Sequence, residues 1–289
     1  MDDAVREALE ASMGATVSRA VPVRGGDVAL AYAVDLDDGR RVFAKTHPGA
    51  PPEFFTTEAA GLTWLREPRV VAVPDVLAVS DAPHLLVLEW IDERNHAGTP
   101  GATTDHDLGV ALAHLHQAGA PSFGREDRRT TGSRGLPNEP CDTWSEFYAS
   151  NRLLPLARLA RDAGALPARA IEALERVAAT LDRFGGDDEP PARLHGDLWA
   201  GNRLVDVGGR NWLIDPAAHG GHREFDLAMM RLFGGFGSVC FAAYADVHPL
   251  AGGWEERVEL HQIAPLVVHA IKFGGSYVDR AVSAIERYA

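Results

Sequence analysis

The sequence predicts an α+β chain of two lobes, a small N-terminal lobe built on an antiparallel sheet and a larger, mainly helical C-terminal lobe. Three observations carry this. Up to residue 91, apolar residues come in short strand-like runs broken by turn signals, with one amphipathic helix among them. From Thr104 onward the apolar spacing is mostly helical. Between the two, Asp92–Thr103 is polar and holds Gly98, Pro100 and Gly101, the composition of a linker. The expected lobes are therefore 1–91 and 92–289.

Taken in order, Val5, Ala8 and Leu9 predict a short first helix with Asp2 or Asp3 near its cap. Val28–Leu36 reads as a strand, Asp37-Asp38-Gly39-Arg40 as a hairpin turn in which Gly tolerates positive φ, and Arg41–Lys45 as the returning strand. Phe54, Ala59, Leu62 and Leu65 recur at helical spacing within Pro51–Glu67. Pro74–Val79 and His84–Ile91 read as two more strands. In the second lobe, helices are expected over Asp105–Ala118, Trp144–Ala163 and Pro167–Phe184, and from Glu224 to the end. Pro121–Pro140 is a long polar segment, and its arginines, Arg125 to Arg134, read as a solvated loop. His114 and His116 lie two apart and cannot share a helix face, so they read as packing residues.

Bulk properties narrow the function classes. The 289 residues carry 28 basic and 41 acidic side chains, a formal charge of −13 that repels nucleic acid and anionic membrane surfaces. No apolar run is long enough to span a bilayer, and the acidic N-terminus has no signal-peptide layout. Cys141 and Cys240 lack zinc-site or disulfide-framework spacing and read as reduced thiols in a cytoplasmic protein.

The chemistry concentrates in His195–Asn202 (HGDLWAGN) and Ile214-Asp215-Pro216. Asn202 follows Asp197 by five positions, the spacing of the protein-kinase catalytic loop, where the Asp is the base and the Asn binds metal. Asp215 ends an apolar strand thirteen residues later, where a magnesium-binding carboxylate belongs. Lys45 closes the strand RVFAK as a phosphate-binding lysine does, and Glu58, thirteen residues on, is its expected partner. Leu88, Glu89 and Trp90 precede the linker and offer backbone groups to an adenine edge. Gly25 and Gly26 are the candidate phosphate cover, although the GxGxxG spacing is absent. Together these predict a protein-kinase-like phosphotransferase using ATP and Mg²⁺, with ATP between the lobes. His195 reads as a loop-orienting residue.

HGDLWAGN, followed by IDPAAHGGHREFDLAMM, resembles the fructosamine kinase (ketosamine-3-kinase) family, as does LPNEPCDTWSEFYASNRL; the similarity runs from about Val21 to the C-terminus. The resemblance implies transfer of the γ-phosphoryl of ATP to the 3-hydroxyl of a ketosamine, a sugar adduct on a small amine or a protein lysine. It implies Asp197 as base, Asn202 and Asp215 on magnesium, Leu88, Glu89 and Trp90 at the nucleotide, and Trp199 against the sugar. His222, after the paired glycines, is a second candidate for substrate contact. Many relatives carry a Cys where this chain has Asp27, so a monomer is expected rather than a redox-linked dimer. Two rivals stay open: a phosphotransferase for an aminoglycoside, choline or another amino alcohol, and a nucleotide-binding pseudoenzyme.

Overall fold

The computed structural model describes residues 1–23, 29–93, 101–128, 130–131 and 135–289. The chain divides into two compact units: residues 1–100 with 202–217, and residues 101–201 with 218–289. Each contains both helix and sheet.

The first unit opens with α1 (Asp3–Met13). The Asp2 side chain accepts the Ala4 N–H, satisfying one of the donors a helix start leaves open, and Gly14 ends the helix in the left-handed conformation at φ 63°. Five strands follow: β1 (Val17–Val23), β2 (Leu30–Leu36), β3 (Arg41–Thr46), β4 (Val76–Asp81) and β5 (His84–Glu89). All pair antiparallel, in the spatial order β1-β2-β3-β5-β4. The predicted hairpin at Asp37–Arg40 joins β2 to β3, with Gly39 at φ 87°. β1 was not expected from sequence; its residues are largely exposed and lack an unbroken apolar alternation, as befits an edge strand.

β5 (HLLVLE) is apolar on both faces because both are covered. Leu85 and Val87 join Val34, Leu36, Val42 and Ala44 in a core closed by Val5 and Leu9 of α1. Helix α2 (Phe54–Arg66) packs against β4 and β5, burying Phe55, Ala59, Leu62 and Leu65 along one side. The later hairpin, β9 (Arg203–Val205) and β10 (Asn211–Leu213), belongs to the same unit. It is fixed there by backbone bonds from Val207 N–H to Asp92 O (3.0 Å) and from Leu213 N–H to Ala72 O (2.9 Å).

The second unit holds α3 (Ala102–Gln117), the two-residue strands β6 (Thr130–Thr131) and β7 (Leu136–Pro137), α4 (Trp144–Tyr148), α5 (Leu154–Asp162), α6 (Ala168–Ala178), β8 (Ala192–Leu194), β11 (His219–Gly221), α7 (Glu224–Phe233), α8 (Ser238–Val247), α9 (Trp254–Phe273) and α10 (Ser276–Tyr288). The helix expected over Trp144–Ala163 is present from Trp144 to Asp162 as α4 and α5, which run on through a π-helical turn at Ala149–Leu153. Arg125 is buried and paired with Asp127 (2.5 Å), which corrects its reading as part of a solvated loop.

Pro265 lies inside α9, so the His261 carbonyl one turn earlier has no proline N–H to receive. The Tyr148 hydroxyl fills the gap: it lies 2.9 Å from Leu260 O and 3.1 Å from His261 O and accepts the Ala264 N–H. Helices α3 and α8 approach closely at Gly109, where a Cβ would strike the Cys240 carbonyl oxygen. Among the described residues, no helix is long and apolar enough to cross a membrane.

Candidate active site

In the first unit the sheet and α2 bring a buried ammonium to two carboxylates. Lys45, on β3, donates to Glu58 Oε1 at 2.8 Å and to Asp215 Oδ1. Burial works against the lysine charge, but the two carboxylates outweigh it and hold the ammonium above the ordinary lysine range. Glu58 is pushed up to about 7, by burial first and with Asp215 adding to it, against the pull of Lys45. Two carboxylates thus share one cation, an arrangement with negative charge to spare.

Asp215 follows β10 with φ 54°, a left-handed conformation that is sparsely populated for a residue with a side chain. Strain of this kind costs on the order of 1–3 kcal/mol and concentrates at functional sites. The β9–β10 hairpin sets Asn202 beside it: Ile214 N–H donates to Asn202 O (3.0 Å), and Asn202 Nδ2 donates to Asp215 O (3.5 Å). A carboxylate and an amide oxygen on one hairpin, beside surplus negative charge, are the hard donors Mg²⁺ selects, so these residues fit that ion.

Leu88 is buried in β5 between β3 and β4. The Glu89 N–H is committed to Asp75 O (2.9 Å), and the Glu89 carboxylate accepts the Asp75 N–H (3.1 Å). The Trp90 indole donates to Asp92 (2.9 Å), with the Arg41 guanidinium 5.4 Å from its ring centroid. Gly25, Gly26 and Asp27 lie outside the described residues.

In the second unit, β8 leads straight into His195-Gly196-Asp197. β8 pairs with β11, and the glycines of β11 are required by space: a Cβ on Gly220 would strike Ser122 O, and one on Gly221 would strike the Leu194 side chain. The loop is held by Asp226 of α7, a residue that sequence reasoning missed. Its carboxylate accepts the backbone N–H of His195 (2.7 Å) and of Gly196 (2.9 Å). His116 lies behind it, 3.3 Å from Asp226 and 2.8 Å from the Tyr244 hydroxyl. Burial would raise the Asp226 carboxyl, yet these bonds keep it below the usual carboxylate range. The available signal was an acid set within the apolar stretch Phe225–Met230, where a buried charge needs a purpose. Asp197 donates its own N–H to His195 Nδ1 (3.3 Å), consistent with a loop-orienting His195.

Trp199 is 41% exposed and lies over Gly201, where a Cβ would enter its ring. His222 is only 1% exposed, packed against Trp144 and His261, so its side chain presents no surface to a ligand. His222, Glu224 and His261 bring donor atoms within 4.8 Å of one another. Arg257 already holds both Glu224 oxygens (2.6 and 2.9 Å), and Arg223 holds both oxygens of neighbouring Glu189 (2.6 and 2.7 Å). A cation would add charge to carboxylates that are already neutralised, so the cluster is structural.

That cluster makes the second unit acid-sensitive. His222 is pulled down to about 4 by burial first and then by His261, from an ordinary 6.5. Glu224 is held down to about 2 from 4.5: burial would raise it, but His261 and Arg257 outweigh it. Below pH 6.5 the unfolded chain protonates at His222 while the folded chain does not, so stability falls as pH drops toward 4. Glu224 acts in the same direction, losing stability as pH drops from 4.5 toward 2. Urea titrations should show His222 alone contributing a loss of about 3 kcal/mol between the two ends of its window. His222→Asn should flatten that window, and equal slopes for both proteins would contradict this.

A sequence profile of the fructosamine kinase family matches residues 1–289. A probable ketoamine kinase of Enterococcus faecium is 33% identical over 276 residues, covering 93% of this chain and 95% of that protein. A crystal structure of a fructosamine-3-kinase homologue from Thermobifida fusca is 39% identical, with a TM-score of 0.89 over 100% of this chain and 99% of that one. A choline kinase from Streptococcus pneumoniae, 14% identical with a TM-score of 0.66 over 98% and 97% of the two chains, shares the fold alone.

Proposed function

The chain belongs to the fructosamine kinase family, and we propose that it transfers the γ-phosphoryl group of ATP to the 3-hydroxyl of a ketosamine, with Asp197 as the base. The observation that carries the reading is the Lys45 ammonium held by Glu58 and Asp215 in the buried part of the first unit. A module that only binds nucleotide would need that lysine and carboxylate too but has no need of a base, so it is Asp197, on the loop that Asp226 holds, that sets the two readings apart.

Each residue has a task in this reading. Glu58 fixes the Lys45 side chain, so its ammonium meets a phosphate without first paying conformational entropy. Asn202 and Asp215 would hold Mg²⁺, which when bound neutralises phosphate charge. At Leu88, Glu89 and Trp90 the Glu89 N–H is already taken by Asp75, so it is the Glu89 carbonyl and the N–H groups that follow it that would meet adenine. The Asp197 carboxylate takes the proton of the sugar hydroxyl as its oxygen bonds to the γ-phosphorus and ADP departs. Asp226 keeps the backbone of that loop in place through two N–H bonds. Trp199 offers a ring face to the sugar, and His222 acts only by supporting the fold. Free Cys141 and Cys240 suit a reducing, cytoplasmic setting, and no pairing between copies is needed for the site.

An acceptor panel tests the substrate. N-fructosyl-lysine or N-ribulosyl-lysine should give a kcat/KM at least about 100-fold above choline or kanamycin, because a site built to hydrogen-bond one acceptor's polar groups rejects those that leave its own donors and acceptors unpaired. Good turnover of an amino alcohol with none on either ketosamine would reject the acceptor while keeping the transferase.

A further inference from the structure

Trp199 stands just past Asp197 on the catalytic loop, and glycines decide where its ring can lie. The ring covers Gly201, so the loop's own backbone closes one side, and Phe233 of α7 meets it edge-on at 6.2 Å. At 41% exposed, the residue still has room to swing. The backbone beneath it is backed by the turn after α7. Gly235, at φ 86°, passes so close that a Cβ there would collide with the Ala200 Cβ and come within 3.7 Å of its Cα. Further along the turn, Gly237 donates its N–H to the carboxylate of buried Asp105 in α3 at 2.9 Å, and a Cβ on Gly237 would strike that same carboxylate. The far end of the turn is thus anchored, and a push at Gly235 passes into the loop. Gly234 has a similar backbone, φ 71°, yet a Cβ there would meet nothing within 4 Å.

A left-handed backbone explains a glycine at 234 and at 235 alike. Only Gly235 is also required by space, and that space is taken by the residue that follows Trp199. We propose that Gly235 is a positioning residue for the acceptor: by letting the turn close on Ala200, it sets where the Trp199 ring stands against the sugar. This rests on the ketosamine kinase reading and adds to it a residue that touches no substrate atom. The base lies outside the contact, so a displaced ring weakens acceptor binding and leaves proton transfer intact. The loss therefore falls on the acceptor KM, by about tenfold, the worth of one well-placed ring contact.

Three variants separate the contact from the strain. Gly235→Ala should raise the KM for N-fructosyl-lysine about tenfold, with kcat and the ATP KM within about twofold of the wild type. Gly234→Ala carries the backbone strain without the collision, so both variants should melt below the wild type while only Gly235→Ala raises KM. Gly235→Ala with Ala200→Gly removes the methyl that is struck, and KM should return to within about threefold of the wild type while the melting temperature stays low. Gly235→Asn, whose side chain tolerates a left-handed backbone, should raise KM as the alanine variant does. The ring itself is read without substrate. In protein carrying 5-fluorotryptophan, the Trp199 fluorine resonance, assigned by its loss in Trp199→Phe, should move in Gly235→Ala, stay in Gly234→Ala and move back in the double variant. A KM raised equally by Gly234→Ala, or a Trp199 resonance unmoved by Gly235→Ala, would overturn the proposal. Failure of the kinase reading looks different. Fluorine shifts as expected, in a wild type that phosphorylates no ketosamine, sink that reading and keep the contact. Ketosamine turnover with a KM unchanged in Gly235→Ala does the reverse.

Discussion

Asp197→Asn will lower kcat by about 10²–10⁴, the range expected when a positioned general base is lost, while ATP affinity stays within about twofold. The substitution keeps size and shape and removes only the ability to take a proton. Asp226 continues to hold the loop, because its bonds go to the backbone of His195 and Gly196 and not to the Asp197 side chain. A fall in kcat with an unchanged ATP KM is therefore the signature of a base, whereas a fall accompanied by weaker nucleotide binding would point to a folding or binding defect. Steady-state kinetics on a saturating ketosamine, with ATP varied, reads both parameters at once. Retention of full turnover would remove Asp197 from the base role.

Lys45→Met will cost about 10²–10³ in kcat/KM for ATP, the scale of one preorganised electrostatic contact in a buried site. It also leaves Glu58 and Asp215 facing each other without a cation. The lysine is 6% exposed, and removing one partner of a buried ion pair typically destabilises by about 3–5 kcal/mol. Glu58, already pushed up to about 7 with the lysine present, will relieve part of that by taking a proton. Lys45→Met should thus melt at a lower temperature than the wild type, and Lys45→Met with Glu58→Gln should recover much of the loss without recovering activity. A double variant no more stable than the single one would show that the two carboxylates do not strain the site.

What the sequence showed and what it hid divide along physical lines. The β2–β3 hairpin was legible because its turn and both strands are local, and Gly39 marks the positive φ. Lys45 and Glu58 were legible because the lysine ends a strand and the glutamate lies in the very next helix, across a short connection. β1 was not, because VSRAVPV spends most of its side chains on solvent. β8 and β11 were not, because three-residue strands carry no periodicity and pair across a separation that only the fold closes. The π-helical turn after Tyr148 leaves no local mark except Pro155, which sits at the start of α5 where proline is tolerated. Asp226 and His116 were hidden for another reason. Each is an ordinary helical residue on its own, and the meaning lies in their meeting beneath the loop. His222 shows the converse, since motif position suggested a ligand contact and burial within a closed network of Glu189, Glu224 and two arginines withholds it.

This chain is expected to move a phosphoryl group from ATP onto the sugar of a ketosamine. Phosphorus NMR of the purified protein with ATP, Mg²⁺ and N-fructosyl-lysine tests it most directly. One new phosphomonoester should form on the sugar 3-oxygen for each ADP released, and none with Asp197→Asn over the same interval. ADP accompanied only by inorganic phosphate, or a phosphomonoester formed on choline or an aminoglycoside and never on the ketosamine, would contradict it.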